Sequence, residues 1–327
     1  MSEADTILPP CRREGFLPAP DLDAQLMRAL EQGALANGWL ITGGDGIGKA
    51  TLAYRLARAL LHEGEARTLD PGPSRAGNLI AAQAHPDLFV AERRYDEKKE
   101  RHATEIAVET SRDLIQFLSF TPSMGGWRVV IVDTADDLNR NSANALLKAL
   151  EEPPARTAIF VLSASPGRLL PTIRSRCRRL VIRPYPDDVV AAFLEREGAA
   201  GGPDAAKIAA AAEGRPGFAL RLAAGDGAEA IDALAAFLSA RDAAGVAARL
   251  APKSADGVWP VFQEMLLRRI DRAAREAAEN ADDRAADFVR LRETVGALFV
   301  RGDAVNLDRF QLVLAAARAF AAAPRIA

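Results

Sequence analysis

The stretch RVVIVDTADDLNRNSANALLKALEEPPARTAIFVLSASPGRLLPTIRSRC, residues 128–177, decides the fold of this chain. It opens with an unbroken run of mostly β-branched residues that ends at Asp133, the pattern of a strand buried on both faces of a parallel sheet. Apolar residues then recur at helical spacing until Pro153 and Pro154, which end the helix. A second buried strand, residues 157–162, follows at once. This order predicts a parallel α/β sheet, with Asp133 at the strand end where such sheets bind ligands.

Two motifs in this stretch carry a family resemblance. NALLKALEEPP at residues 144–154 and SRC at residues 175–177 resemble signatures of bacterial clamp-loader subunits, the AAA+ proteins that load the sliding clamp for the replicative DNA polymerase. The resemblance is strong over roughly the first two-thirds of the chain and rests on helical character alone in the remainder. It implies an α/β AAA+ P-loop domain with a parallel sheet, then a small helical lid domain and a C-terminal all-α collar domain.

Breaks in the pattern predict the domain boundaries. Pro184-Tyr185-Pro186 ends the α/β pattern, and the chain from Gly227 onward is rich in alanine and helical in character. We therefore predict an AAA+ domain at 1–184, a lid at 185–226 and a collar at 227–327. Two helical faces are predicted in the collar, one of Val258, Phe262, Leu266 and Ile270 and one of Leu307, Phe310, Leu314 and Ala317.

A glycine-rich loop lies before the central stretch. A short strand, residues 39–42, runs directly into GGDGIGKAT, residues 43–51, and a helix follows. Strand, loop, lysine and helix are the ordered parts of a P-loop, in which backbone N–H groups and a helix N-terminus bind phosphates. A glycine turn without a nucleotide role is the alternative. The candidate nucleotide-binding residues of the loop are Gly43, Gly46, Gly48, Lys49 and Thr51.

The loop departs from an active nucleotide site directly after its lysine. A P-loop carries a hydroxyl there as a ligand of the nucleotide-bound Mg²⁺, and this chain has Ala50. Thr51 does not replace it directly, since one step along a helix turns the side chain by about 100°. Lys49 and the glycines remain, so binding of ATP or ADP stays an alternative, although we predict that no cofactor is required.

The resemblance implies that the rest of the site is incomplete too. Asp133 matches the family's strand-end aspartate, or else caps a turn, but the glutamate that activates water in hydrolytic relatives is replaced by Thr134, which is no general base. The lid arginine that reaches the nucleotide aligns with Gly217. Ser163 matches a residue that senses the γ-phosphate, or else forms a turn. Nearby, Arg215 and Arg221 are interpreted as surface arginines, and Asp136 and Asp137 as capping or solvated residues.

Arg176 of the SRC motif, unlike the residues of the incomplete nucleotide site, matches the residue expected from the resemblance. The resemblance implies that this arginine points at the nucleotide of a neighbouring subunit, where a guanidinium stabilises charge on a transferring phosphate. The residues alone show a basic cluster, whose alternatives are a solvated surface strand and contact with the DNA backbone. The cluster consists of Arg168, Arg174, Arg176, Arg178, Arg179 and Arg183.

Composition restricts the class of protein. With a net charge of −2, 49% apolar and 26% charged residues, the chain is neither a polycation nor disordered. Cys11 and Cys177 form no disulfide framework, and no apolar run is long enough for a membrane span. The acidic residues 1–5 do not resemble a secretory leader, so we predict a cytoplasmic location.

No metal site is predicted. Many subunits of the resembling family carry a four-cysteine zinc module in the region of residues 62–86, where this chain has no cysteine. His62, His85 and His102 are interpreted as surface or turn histidines.

Three functional hypotheses follow. In the first, the chain is a largely non-catalytic clamp-loader subunit that supplies Arg176 to a gamma- or tau-type ATPase, with the delta subunit, the sliding clamp and primed DNA as further partners. The second is a self-sufficient AAA+ ATPase, either a gamma-type motor or a DNA-remodelling enzyme. The third is an AAA+ scaffold without a role in replication.

Overall fold

The computed structural model describes most of the chain. The described residues are 7–13, 16–17, 19–35, 37–62, 68–93, 95–96, 101–103, 105–106, 108–124, 126–239 and 242–326, so the acidic residues 1–5 lie outside them. The described residues form two compact units, one made of those up to Phe193 with Glu213–Phe218, the other of Leu194–Ala212 with those from Ala219 onward. The division into three domains stays a prediction.

The first unit is built on a parallel sheet. The strands of the described chain are β1 (Asn37–Thr42), β2 (Leu88–Glu92), β3 (Tyr95–Asp96), β4 (Arg101–His102), β5 (Arg128–Asp133), β6 (Thr157–Ser163) and β7 (Cys177–Val181). A separate antiparallel ribbon is formed by β3 and β4, and the other five strands form one sheet in the order β2-β5-β6-β1-β7. All neighbouring strands of this sheet run parallel, which confirms the predicted architecture.

The strand register brings the candidate residues to one edge of the sheet. Thr42 at the end of β1 pairs with Ser163 at the end of β6, and Asp133 at the end of β5 pairs with Glu92 at the end of β2. Because parallel strands share their carboxyl edge, the loop after β1 and the turn after β5 lie at the same edge of the sheet, with the end of β6 between them.

Helices cover this sheet. They are α1 (Pro20–Glu31), α2 (Lys49–Leu61), α3 (Arg75–Ala81), α4 (Val108–Ser119), α5 (Arg140–Glu151), α6 (Pro171–Arg176) and α7 (Asp187–Arg196). The side chain of Asn139 accepts hydrogen bonds from the first N–H groups of α5, and Pro153 lies just beyond the end of the helix. A buried apolar cluster joins α4, α5 and α6 to β5 and β6, with Leu114, Leu146 and Ile173 among its members.

The remaining helices are α8 (Gly202–Ala212), α9 (Pro216–Ala223), α10 (Gly227–Leu238), α11 (Ala243–Leu250), α12 (Val258–Glu279), α13 (Ala285–Ala304) and α14 (Arg309–Ala321). The predicted face of α12 is confirmed, since its four members are fully buried. The predicted face of α14 is wrong: Leu312, Val313 and Ala316 are buried, whereas Leu307 is 49% exposed. The alanines of α14 lie on several sides of the helix, so the spacing of its apolar residues does not determine which face is buried.

None of the helices within the described ranges combines the length and apolarity needed to cross a membrane. In the same part of the chain, no group of three or more His, Cys, Asp or Glu residues could hold a metal ion.

Candidate nucleotide loop and the exposed arginine

The glycine-rich loop has the backbone of a P-loop. It connects β1 to α2, and Gly48 directly precedes the helix with a left-handed φ of 106°. Gly46 also has a positive φ of 75°, and a Cβ there would lie 2.6 Å from the backbone nitrogen of Phe218. At Gly43 a Cβ would lie 2.9 Å from the carbonyl oxygen of Ile182. Glycine is therefore required by close contacts within this unit as well as by the backbone conformation.

The lysine of the loop is held by the loop itself. Its Nζ donates hydrogen bonds to the carbonyl oxygens of Gly43 and Gly44, at 3.0 and 3.1 Å, and lies 3.6 Å from an Asp45 carboxylate oxygen. The Lys49 side chain is only 9% exposed. A phosphate that bound here would have to replace these contacts. Thr51 lies in the first turn of α2 and is half-buried.

The start of α9 covers the loop. The backbone N–H of Gly217 donates to the carbonyl oxygen of Gly46 at 2.8 Å, and a Cβ at Gly217 would lie 2.9 Å from that oxygen. Gly217, expected from the resemblance to align with a lid arginine, thus makes a close backbone contact with the loop. On another side of the loop, a ring carbon of Phe16 would lie 3.3 Å from a Cβ at Gly48, and this ring packs edge-on against Tyr185.

Arg215 also reaches the loop, and its interpretation as a surface arginine is wrong. It is 8% exposed, donates from Nη2 to Glu213 at 2.5 Å, and its side chain would lie 3.3 Å from a Cβ at Gly44. Burial is tolerated because the Glu213 carboxylate and the face of the Phe218 ring surround the guanidinium. By contrast, Arg221 is 46% exposed and pairs with Glu264, as expected for a surface arginine.

Asp133 lies beside the loop in an acidic environment. Burial, followed by the nearby Glu92 carboxylate, raises its pKa to about 6, although Lys49 and Arg93 oppose the shift. The hydroxyl of the next residue, Thr134, donates to the carbonyl oxygen of Leu162 at 2.9 Å. Thr134 therefore joins the ends of β5 and β6.

Ser163 is bound by Asp136, which follows β5 in the chain. Its hydroxyl donates to an Asp136 carboxylate oxygen at 2.7 Å, and Ser163 is fully buried. The other Asp136 oxygen accepts from the backbone N–H groups of Ala164 and Ser165, at 2.6 and 3.3 Å. Asp136, interpreted from the sequence as a capping or solvated residue, thus binds the end of β6 and the turn after it, and no spacing in the sequence indicated that Ser163 is its partner.

Arg176 lies apart from the loop, at the end of α6. Its side chain is 37% exposed. Nη2 lies 2.7 Å from a carboxylate oxygen of Glu151 at the end of α5, and Nη1 donates to the carbonyl oxygen of Thr172 at 3.3 Å. The structure thus brings the loop residues, Asp133 and Ser163 to one edge and presents Arg176 separately to solvent.

Together, the strand order and the P-loop after β1 define an AAA+ type of P-loop domain. A family model described as DNA polymerase III, delta subunit, matches residues 19–186, and the chain belongs to this family. It is 44% identical over 142 residues to DNA polymerase III subunit delta' of Pseudomonas aeruginosa, covering 43% of this chain and 42% of that protein. It is 33% identical over 215 residues to DNA polymerase III subunit delta' of Escherichia coli, covering 66% and 62%.

Among solved structures, a gamma subunit-related protein of DNA polymerase III from Thermotoga maritima matches with a TM-score of 0.37 and 22% identity, over 76% of this chain and 72% of that one. The chain spans less than two thirds of the length of both delta' relatives. The family resemblance inferred from residues 144–154 and 175–177 is confirmed by the delta' matches.

Proposed function

We propose that this chain is a delta-prime-like subunit of the DNA polymerase III clamp loader in DNA replication. It acts as a largely non-catalytic stator in a cytoplasmic hetero-oligomer. Its direct partners are gamma- or tau-type ATPase subunits and the delta subunit, and it meets the sliding clamp and primed DNA through the assembly. Relatives named as delta' subunits support this proposal.

The observation that carries the proposal is an asymmetry between two sites. The chain's own nucleotide site has Ala50 in place of the metal-ligating hydroxyl, Thr134 in place of the base and Gly217 in place of the lid arginine. Meanwhile Arg176 is accessible at the end of a short helix that is anchored in the apolar core through Ile173. A guanidinium so presented fits a phosphate on a neighbouring subunit.

Nucleotide is not required in this proposal. The Lys49 ammonium is already paired with loop carbonyls, and the Gly46 carbonyl with the N–H of Gly217. Binding of ATP or ADP would have to replace the contacts of Lys49, and without a hydroxyl at position 50 the Mg²⁺ would lose one ligand. The loop then serves as a structural element that joins β1, α2 and the start of α9.

The mechanism assigned to Arg176 is electrostatic. During phosphoryl transfer, negative charge develops on the γ-phosphate oxygens, and a positioned arginine stabilises it. Supplied from this chain, Arg176 completes the ATP site of the adjacent ATPase subunit, so that hydrolysis responds to the assembly of the ring.

The first experiment is Mg-ATP hydrolysis by the purified chain beside its Lys49→Ala variant. Equal background rates are the expected result. Turnover by the wild type that the variant lacks would overturn the non-catalytic reading in favour of a self-sufficient AAA+ ATPase.

The second experiment uses the reconstituted clamp loader with Arg176→Ala. Its ATP turnover should fall, since an arginine finger contributes roughly 10³-fold or more to the rate at the site that it completes, while gel filtration shows intact assembly. Arg174→Ala, on the same helix, is the control. Unchanged turnover with Arg176→Ala would exclude the role in trans, and failure to assemble with clamp-loader subunits would favour the scaffold hypothesis.

A further inference from the structure

Glu151 holds the guanidinium of Arg176 from a second helix. Its Oε1 lies 2.7 Å from Arg176 Nη2, while the carbonyl oxygen of Thr172, one turn earlier on α6, accepts from Nη1 at 3.3 Å. The two η nitrogens are therefore bound to acceptors on α5 and on α6. Together these acceptors restrict the orientation of the guanidinium plane.

The helix ends that carry this pair are themselves held in place. Leu150, next to Glu151, is 6% exposed, and Ile173 of α6 is 1% exposed. Both belong to the same apolar cluster, which packs α5 and α6 against the sheet. The backbone positions of Glu151 and Arg176 are thus determined by core packing, and their ion pair decides only where the arginine side chain points.

The pair adds little to folding, since its members are 48% and 37% exposed and water screens their attraction. The pair matters instead for the orientation of the Arg176 guanidinium. An arginine binds phosphate through a planar fork, so its contribution depends on the direction of the guanidinium. A long side chain held in one rotamer before the phosphate arrives loses less entropy on binding.

We propose that Glu151 is a positioning residue that orients Arg176 for the phosphate of the neighbouring subunit. This inference rests on the function proposed above for Arg176. It assigns to the first glutamate of the LEEPP segment a role that its neighbour Glu152, which is exposed beyond the end of α5, does not share.

The test measures kcat and KM for ATP in the reconstituted assembly. Glu151→Ala is expected to lower kcat roughly five- to tenfold, as for a displaced rather than a deleted group, with KM changed by less than about twofold. Glu151→Gln keeps an acceptor oxygen without the charge and should retain most of the turnover. Glu152→Ala is the matched control and should behave as wild type.

A double-mutant cycle separates action through Arg176 from other effects. In the Arg176→Ala background, Glu151→Ala should lower kcat no further. An additional loss in that background, an unchanged kcat in Glu151→Ala alone, or a raised kcat from release of a competing counterion would each overturn the inference. If Arg176→Ala itself leaves turnover unchanged, the proposed function fails first. If only Glu151→Ala has no effect, the function of Arg176 stands and its positioning by Glu151 does not.

Discussion

Gly217 donates its backbone N–H to the carbonyl oxygen of Gly46 at 2.8 Å. This bond joins the first turn of α9 to the glycine-rich loop although the two residues are far apart in the chain. It also gives a packing reason for glycine at 217, because a Cβ would lie 2.9 Å from the same oxygen. Position 217, for which the family resemblance implied the loss of an arginine, therefore serves a backbone contact.

Gly217→Ala should therefore destabilise the protein. Replacing a helical glycine by alanine ordinarily stabilises by about 0.4–1 kcal/mol, but here the overlap with Gly46 should reverse the sign and cost about 1–3 kcal/mol. Urea unfolding measures the difference. Gly201→Ala, where a Cβ would meet no atom within 4 Å, is the matched control. A stabilised Gly217→Ala protein would show that the contact with Gly46 is looser than described.

Arg128→Met should destabilise the protein by roughly 2–4 kcal/mol, because buried carbonyls would lose a charged donor. Arg128 is 5% exposed, and its Nη1 donates to the carbonyl oxygens of Leu118 in α4, at 2.8 Å, and of Phe120 just after α4. The control is Arg112→Met. Because Arg112 is exposed on α4, this substitution should change stability little. Equal urea midpoints for the two variants would contradict this role of Arg128.

Asp136→Ala should cost more than Ser163→Ala. The carboxylate accepts from the Ser163 hydroxyl and from two backbone N–H groups, so its removal leaves several donors without their partner, at about 2–3 kcal/mol. Ser163→Ala removes one hydrogen bond and should cost about 1 kcal/mol. Chemical unfolding of both variants provides the comparison. A loss for Ser163→Ala as large as that for Asp136→Ala would mean that the serine has a further role.

Asp133 should make stability depend on pH. Its pKa in the folded chain is raised to about 6 by burial and by Glu92, whereas an unfolded aspartate titrates near 3.9. The folded state therefore binds the proton more tightly, and the stabilisation from that proton is fully present below about pH 4 and lost as the pH rises through about 6.

The comparison with Asp133→Asn isolates this effect. Relative to the variant, the wild type should lose up to about 3 kcal/mol of unfolding free energy between pH 4 and pH 7. Urea unfolding across that range measures the difference, and Asp204→Asn, exposed on α8, is the control. A difference that stays constant with pH would show that the pKa of Asp133 is not raised.

Local patterns in the chain were sufficient for the sheet and for part of the site. The β-branched run before Asp133 and the apolar run at residues 157–162 predicted β5 and β6, because a strand buried on both faces needs apolar residues at every position. The helical spacing of apolar residues predicted the buried face of α12. It failed for α14, where alanines on several sides leave the rotation of the helix to its neighbours.

Residues with two chemical uses could not be assigned from patterns alone. From the sequence, Arg215 is interpreted as a surface residue, because arginine is rarely buried without an acceptor beside it. In the folded chain, Glu213 is that acceptor. From the sequence, Asp136 is interpreted as a capping or solvated residue, yet its carboxylate binds Ser163 across the edge of the sheet.

By itself, the sequence determined the parallel α/β sheet, the glycine-rich loop with Lys49 and Ala50, the strand end at Asp133 and Thr134, and the motif that contains Arg176. These features are local, since strand burial, loop conformation and side-chain chemistry depend on residues that are neighbours in the sequence. Only the tertiary structure decided that the Lys49 ammonium binds loop carbonyls, that Gly217 contacts Gly46 and that Glu151 holds Arg176. Each of these contacts joins groups whose approach depends on the folded backbone, and for the last two on packing between segments far apart in the chain.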